Sequence, residues 1–84
     1  MSSYTEHKIV VGDTGMEIIL REINEATGEF TVESDSQEFM EIFGTSSFSF
    51  IRGNSARENA ILGDVIQRHQ PKAMEIIEQV KRAI

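Results

Sequence analysis

The chain has 84 residues, 39% of them hydrophobic, and carries a net charge of −6 at pH 7. Chains divide into separate cores only at larger sizes, so this length predicts a single domain over residues 1–84. The sequence contains no cysteine, which excludes disulfides and thiolate metal sites. A domain of this size then depends on packing or on self-association for its stability.

Two features of the sequence bear on its location. It opens without the charged, apolar and small-residue pattern of a secretory signal peptide, and no apolar run is long enough to span a bilayer. These features predict a cytoplasmic protein without a membrane partner. Residues 1–5 are polar, and we expect them to be disordered.

The first predicted elements are strands. Residues 8–11 form a short apolar run, which ends at a turn-forming stretch of glycine, aspartate and threonine. Residues 16–23 fit two patterns: a strand with Met16, Ile18 and Leu20 on one face, or a helix with an apolar stripe.

The next segment decides between these two patterns. Residues 24–28 end in glycine, as hairpin loops often do, and residues 29–33 alternate polar side chains with Phe30 and Val32. Because a strand that leaves a hairpin loop needs an antiparallel partner, we interpret residues 7–33 as a three-stranded meander.

The middle of the chain predicts a short helix and a fourth strand. Ser34 or Asp35 supplies the capping pattern of a helix that ends at Gly44. Its predicted buried side chains are Phe39, Ile42 and Phe43. After it, Phe48 and Phe50 alternate with serines, which is typical of a strand.

Two further helices are predicted at the end of the chain. A capping box of Ser55 and Glu58 starts the first helix. Its expected apolar face comprises Ile61, Leu62, Val65, Ile66 and His69. Pro71 favours the start of a second helix, because proline fits the first helical turn. The apolar stripe expected on that helix comprises Ala73, Met74, Ile77, Val80 and Ile84.

These elements predict an α+β fold in the order β-β-β-α-β-α-α. We expect an antiparallel meander of three or four strands with the helices packed on one face. Ile76 and Ala83 widen the apolar stripe of the last helix beyond what one small sheet needs. That width points to a homodimer formed through this C-terminal helix.

One short motif resembles a catalytic signature. Asp13-Thr14-Gly15 is similar to the signature of aspartic proteases, whose retroviral members are dimers that contribute one aspartate from each chain. Ile61-Leu62-Gly63 is similar to a later element of that family. Gly12 and Met16 depart from the residue types that flank the family's triplet. A tight turn between strands is therefore favoured, and a dimeric protease that uses Asp13 is a remote alternative.

A second candidate site follows the fourth strand. This segment has a loop and a helix N-terminus between two guanidinium groups. Its candidate ligand-binding residues are Arg52, Gly53, Asn54, Ser55 and Arg57. Free amides at a helix start favour an anion, and arginines can add bidentate contacts to phosphate or carboxylate. The simpler interpretation is that Asn54 or Ser55 caps the helix while the arginines balance the acidic half of the chain.

The third candidate is an acidic segment. Between Arg21 and Arg52 the sequence has seven acidic residues and no basic one. Such a segment repels a phosphate backbone, so we expect no direct nucleic-acid binding. It can instead dock on a basic protein surface, or simply keep the protein soluble. The candidate interaction residues are Glu25, Glu29, Glu33, Glu38 and Glu41.

These observations favour a small acidic interaction module over an enzyme. We predict an adaptor or inhibitor, of the kind that phages and mobile elements encode, that binds a protein partner and self-associates. A small-anion or nucleotide-binding domain that uses the Arg52–Arg57 loop is the alternative. The sequence predicts no catalytic residue, cofactor or metal site.

Overall fold

The structure is a computed structural model that describes residues 6–11 and 15–84 of the chain. Its strands and helices are β1 Glu6–Val11, β2 Met16–Asn24, β3 Glu29–Glu33, α1 Gln37–Phe43, β4 Ser47–Ile51, α2 Ser55–Gly63 and α3 Gln70–Ala83, with a 3-10 turn at Gln67–His69. The predicted α+β class and the order β-β-β-α-β-α-α are confirmed. The predicted disorder of residues 1–5 and the motif containing Asp13 lie outside the described residues.

The strands form one antiparallel sheet in the order β1-β2-β3-β4. The segment that fitted both a strand and a helix is strand β2. Its hairpin to β3 is closed by Gly28, whose φ of 74° needs a glycine. The side chain of Asn24 holds the loop by accepting a hydrogen bond of 3.0 Å from the backbone N–H of Ala26. The meander predicted from residues 7–33 is therefore confirmed and extended by β4.

The hydrophobic core lies between one face of the sheet and the helices. The strands contribute Val11, Met16, Ile18, Leu20, Phe30, Val32 and Phe50, and the rest of the chain contributes Phe39, Ile42, Val65, Ala73, Ile76, Ile77 and Val80. Phe39, Phe43 and Phe48 form an aromatic cluster, with 4.7 Å between the ring centroids of Phe39 and Phe43. Burial of these side chains is the main source of stability for the fold.

The start of α1 differs from the predicted one. Ser36 is the N-cap, because its side chain accepts a hydrogen bond from the N–H of Phe39. The two predicted caps, Ser34 and Asp35, lie before the helix, and Ser34 is buried in the loop that leads to it. The end is as predicted, at Gly44 in the left-handed conformation.

Helix α2 is shorter than predicted. Asn54 and Ser55 were both predicted as possible caps, and the helix is capped by Asn54, which accepts a hydrogen bond of 2.8 Å from the N–H of Arg57. The helix ends at Gly63, so the predicted apolar face does not continue to His69, and Ile66 is 52% exposed. The side-chain amide of Gln70 instead donates hydrogen bonds to the carbonyls of Leu62 and Val65 at this break.

Helix α3 packs against α1, α2 and β1. Pro71 lies in its first turn, as predicted. The predicted stripe is wrong at Met74, which is 54% exposed, whereas Ile76, which was expected to widen the stripe, is buried in the core. Lys81 forms ion pairs of 3.2 Å with Glu58 and 3.4 Å with Glu78. Hydrogen bonding to Glu58, and then to Glu78, raises the pKa of the Lys81 ammonium above its ordinary value.

Candidate protein-interaction site

The second face of the sheet, which we call the outer face, points away from the core. It carries Glu6, Lys8 and Val10 from β1, Glu17, Ile19 and Arg21 from β2, Glu29, Thr31 and Glu33 from β3, and Ser47, Ser49 and Ile51 from β4. Each of these residues is exposed or half-buried, whereas their neighbours along β2 and β3 fill the core. The alternation of strand side chains produces this division between the faces.

Ion pairs organise the charges on the outer face. Arg21 lies 3.0 Å from a carboxylate oxygen of Glu6 and 3.2 Å from one of Glu33, so it links β1, β2 and β3. Lys8 lies 3.2 Å from Glu17. These side chains are largely exposed, and exposed pairs stabilise a fold by about 0–1 kcal/mol each. The face holds more carboxylates than basic groups, so its charge is negative.

A groove with an apolar floor runs along one end of the outer face. It consists of two adjoining depressions of about 210 and 330 Å³ that share Ile19, Ser34 and Asp35. Glu33 lines the first depression and Glu17 lines the second. Three carboxylates therefore line the groove together with the half-buried side chain of Ile19. Within the described residues, no basic group lies within ion-pair distance of Asp35.

Ser34 fixes the shape of this groove. Its hydroxyl donates a hydrogen bond of 2.6 Å to the backbone carbonyl of Glu17 and accepts one of 3.0 Å from the N–H of Ser36. The backbone N–H of Ser34 also donates to the carbonyl of Ser46, at 3.0 Å. The loop after β3 is thus attached to both neighbouring strands, and Asp35 is held at the rim of the groove.

The predicted acidic residues do not share one surface. Glu29 and Glu33 lie on the outer face, where Glu29 accepts a hydrogen bond of 3.1 Å from the hydroxyl of Ser49. Glu25 lies in the hairpin loop. Glu38 and Glu41 belong to α1, which packs on the opposite side of the sheet.

Sequence reasoning did not select Glu17, Ile19 or Asp35 as site residues. A signal for the first two was present in β2, because Met16, Ile18 and Leu20 alternate with them along the strand. Asp35 gave no comparable signal, because its position depends on the hydrogen bonds of Ser34 with distant parts of the chain.

The structure gives local roles to the residues of the predicted anion-binding loop. The guanidinium of Arg52 lies over the ring of Phe30, 5.3 Å from the ring centroid. The backbone N–H of Arg52 donates a hydrogen bond of 2.9 Å to the carbonyl of Gly28. Gly53 adopts a φ of 74°, and the carboxamide of Asn54 accepts the hydrogen bond from the N–H of Arg57. Ser55 is the first residue of α2. Binding of an anion at this loop stays a prediction.

The predicted dimer helix is packed within its own chain. Ala73, Ile76, Ile77 and Val80 of α3 are all buried in the core, so its apolar stripe is covered by the sheet and the other helices. The large apolar side chain that this helix leaves exposed is Met74. A homodimer through α3 therefore stays a prediction, and the apolar stripe on which it was based is buried within the chain.

No group of three or more histidine, cysteine or acidic side chains in residues 6–11 and 15–84 is placed to hold a metal ion. No helix in the same part of the chain has the length and apolar content needed to cross a membrane. The chain matches no family model, no curated protein and no solved structure.

Proposed function

We propose that this chain is a small non-enzymatic interaction domain that binds a basic protein surface through the outer face of its sheet. The observation that supports the proposal is the groove that Glu17, Glu33 and Asp35 line together with Ile19. The apolar floor and the acidic rim of this groove together match a lysine or arginine side chain of a partner.

The chemistry of such a side chain explains the match. Lysine and arginine carry a long aliphatic stem that packs on apolar surface while the charged head stays polar. In the groove, the stem would contact Ile19 and the head would reach the carboxylate of Asp35. An arginine head can contact a carboxylate with two parallel hydrogen bonds, which gives geometric specificity.

The charge of the remaining face supports the same class of partner. The carboxylates of Glu6 on β1 and Glu29 on β3 extend the negative charge beyond the groove, on both sides of β2. A negative face of this kind accelerates association with a positive one and disfavours acidic partners. An adaptor or inhibitor that covers a basic surface of a larger protein would act in this way.

The proposal is tested with short arginine-rich and lysine-rich peptides as probes. The double substitution Glu33→Gln and Asp35→Asn should weaken peptide binding by about tenfold at low salt, the equivalent of about 1.4 kcal/mol. The measurement is fluorescence anisotropy of labelled peptide, repeated at several salt concentrations, because screening should reduce the difference.

A matched control has the same change in net charge. Glu38→Gln with Glu41→Gln removes two carboxylates from α1, on the other side of the sheet. This variant should bind the peptides about as well as the original chain. Equal losses in the two double variants would contradict a defined site, since they would show that net charge alone attracts the peptides.

A further inference from the structure

The two edges of the sheet differ in how their backbone groups are bonded. Ser34 and Arg52 donate backbone hydrogen bonds to Ser46 and Gly28, which fixes the bonded pairs between β3 and β4. In an antiparallel sheet, bonded and non-bonded pairs alternate along each strand, so the pattern continues from strand to strand. It follows that alternate residues of each edge strand point their N–H and C=O groups away from the sheet.

On β4 the outward residues are Ser47, Ser49 and Ile51, and half of their outward backbone groups have partners. The hydroxyl of Thr45 donates to the carbonyl of Ser47 at 2.9 Å and accepts from its N–H at 3.3 Å. The carbonyl of Ile51 accepts a hydrogen bond of 3.1 Å from the N–H of Asn54. This edge is therefore closed near both ends and offers too few groups to bind another strand.

On β1 the outward residues are Glu6, Lys8 and Val10. Within the described part of the chain, no hydrogen bond reaches their outward backbone groups. Their side chains are exposed, and Val10 is 58% exposed. An edge of this kind is a template for a further strand.

We infer that β1 pairs with β1 of a second copy of this chain, antiparallel and centred on His7. This inference is independent of the proposed function. Outward residues must face outward residues for hydrogen bonding, which limits the pairing to a few registers. Centring on His7 places Glu6 of each copy directly opposite Lys8 of the other. Centring on Lys8 would place two lysines opposite each other, and centring on Ile9 would leave Lys8 opposite Val10.

Existing ion pairs extend this charge match. Lys8 already pairs with Glu17, and Glu6 already pairs with Arg21. In the dimer, the new contacts join these pairs into a line of alternating charges across the two outer faces. Opposite charges in directly facing positions stabilise strand pairing, whereas like charges destabilise it.

The same geometry limits the assembly to two copies. Pairing through a twofold axis uses the β1 edge of both chains, and the remaining edges are the closed β4 edges. The product is one continuous eight-stranded sheet with a single extended outer face. Open-ended stacking of chains has no second free edge to use.

Cysteine cross-linking tests the pairing and its register. The chain has no cysteine, so His7→Cys introduces a single thiol, and the original chain is the cysteine-free control. At the centre of the proposed pairing, two copies of position 7 form a non-hydrogen-bonded pair with Cα atoms about 4.5 Å apart, within disulfide reach. Mild oxidation should therefore convert most of the variant into covalent dimer. The matched control, Ser49→Cys on the closed edge, should form little covalent dimer under the same conditions.

Two results would overturn the inference. If Lys8→Cys or Ile9→Cys cross-links much faster than His7→Cys, the register is wrong. If sedimentation velocity shows the original chain as a monomer up to high concentration, the dimer itself is wrong. Circular dichroism of each variant distinguishes these results from a failure to fold.

Charge substitutions supply a second test by sedimentation velocity. Lys8→Glu should weaken self-association by about tenfold, because two attractive contacts become repulsive. Glu6→Lys should have a similar effect. The combined variant, Glu6→Lys with Lys8→Glu, restores opposite charges across the pairing, so it should self-associate more strongly than either single variant. No recovery in the combined variant would contradict the proposed register.

Discussion

On the covered face of the sheet, the strands present large apolar side chains that are almost fully buried against the helices. On the outer face, the same strands present mostly charged and small polar side chains, and several of the charged ones form exposed ion pairs. Burial of apolar groups contributes far more to stability than exposed ion pairs do. The outer face can therefore change its charges at little cost to the fold, which leaves it free to serve recognition.

The largest effect is expected on the covered face. Phe39 is fully buried and stacks with Phe48 at 5.8 Å between ring centroids. Phe39→Ala should lower the free energy of unfolding by about 3–5 kcal/mol, since it removes burial and leaves a cavity. Urea denaturation followed by circular dichroism measures the change. A loss below about 1 kcal/mol would show that α1 is not an integral part of the core.

An intermediate effect is expected where the two faces meet. Ser34→Ala removes the hydroxyl that bonds the carbonyl of Glu17 and the N–H of Ser36. Loss of these partners should cost about 1–3 kcal/mol. Peptide binding at the groove should weaken as well, because the hydrogen bonds that fix the loop containing Asp35 would be lost. Ser36→Ala is a useful comparison, since it removes the cap of α1 and leaves the hydroxyl of Ser34 in place.

A small effect on stability is expected on the outer face. Glu17→Gln breaks the exposed pair with Lys8, so the free energy of unfolding should fall by less than about 1 kcal/mol. Binding of basic peptides should fall more clearly, since the groove loses a carboxylate. A thermal melt alongside the anisotropy titration separates the two effects. Large destabilisation here would contradict the division of roles between the faces.

The smallest effect depends on pH and lies among the helices. The pKa of Lys81 is raised by Glu58 and Glu78, so its favourable contribution is complete below the ordinary lysine value of 10.5. It is lost as the pH rises through the raised value. The difference in melting temperature between the original chain and Lys81→Gln should therefore be small at pH 8 and vanish once the pH exceeds the raised pKa of Lys81. A difference that persists at high pH would assign the effect to lost packing of the lysine stem.

The fold was largely predictable because alternation and turn residues carry the signal. Phe30 and Val32 identified β3, and the hairpin loop before it resolved the ambiguity of β2. The extent of α2 was not predictable from periodicity, because the apolar pattern continues past Gly63 although the helix ends there. The side-chain amide of Gln70 donates hydrogen bonds to two backbone carbonyls at this point. Met74 matched the helical spacing but lies outside the contact with the sheet.

The candidate site was less predictable than the fold. Charge along the sequence grouped Glu25, Glu38 and Glu41 with Glu29 and Glu33, although strand alternation and the fold separate them. The groove arises only when β2 pairs with β3 and the loop of Ser34 attaches to β2. Such a site depends on contacts between segments that are distant in sequence, which local patterns do not encode.

The order of strands in the sheet follows the order of strands in the chain, and this has a consequence for folding kinetics. Each strand pairs with its sequence neighbour, so the sheet can form through local contacts, which favours rapid folding. The distant contact is the packing of the last helix, α3, on the first strand, β1. We expect this contact to form after the folding transition state. In stopped-flow experiments, Val80→Ala should then speed unfolding and leave refolding almost unchanged, whereas Val32→Ala should slow refolding.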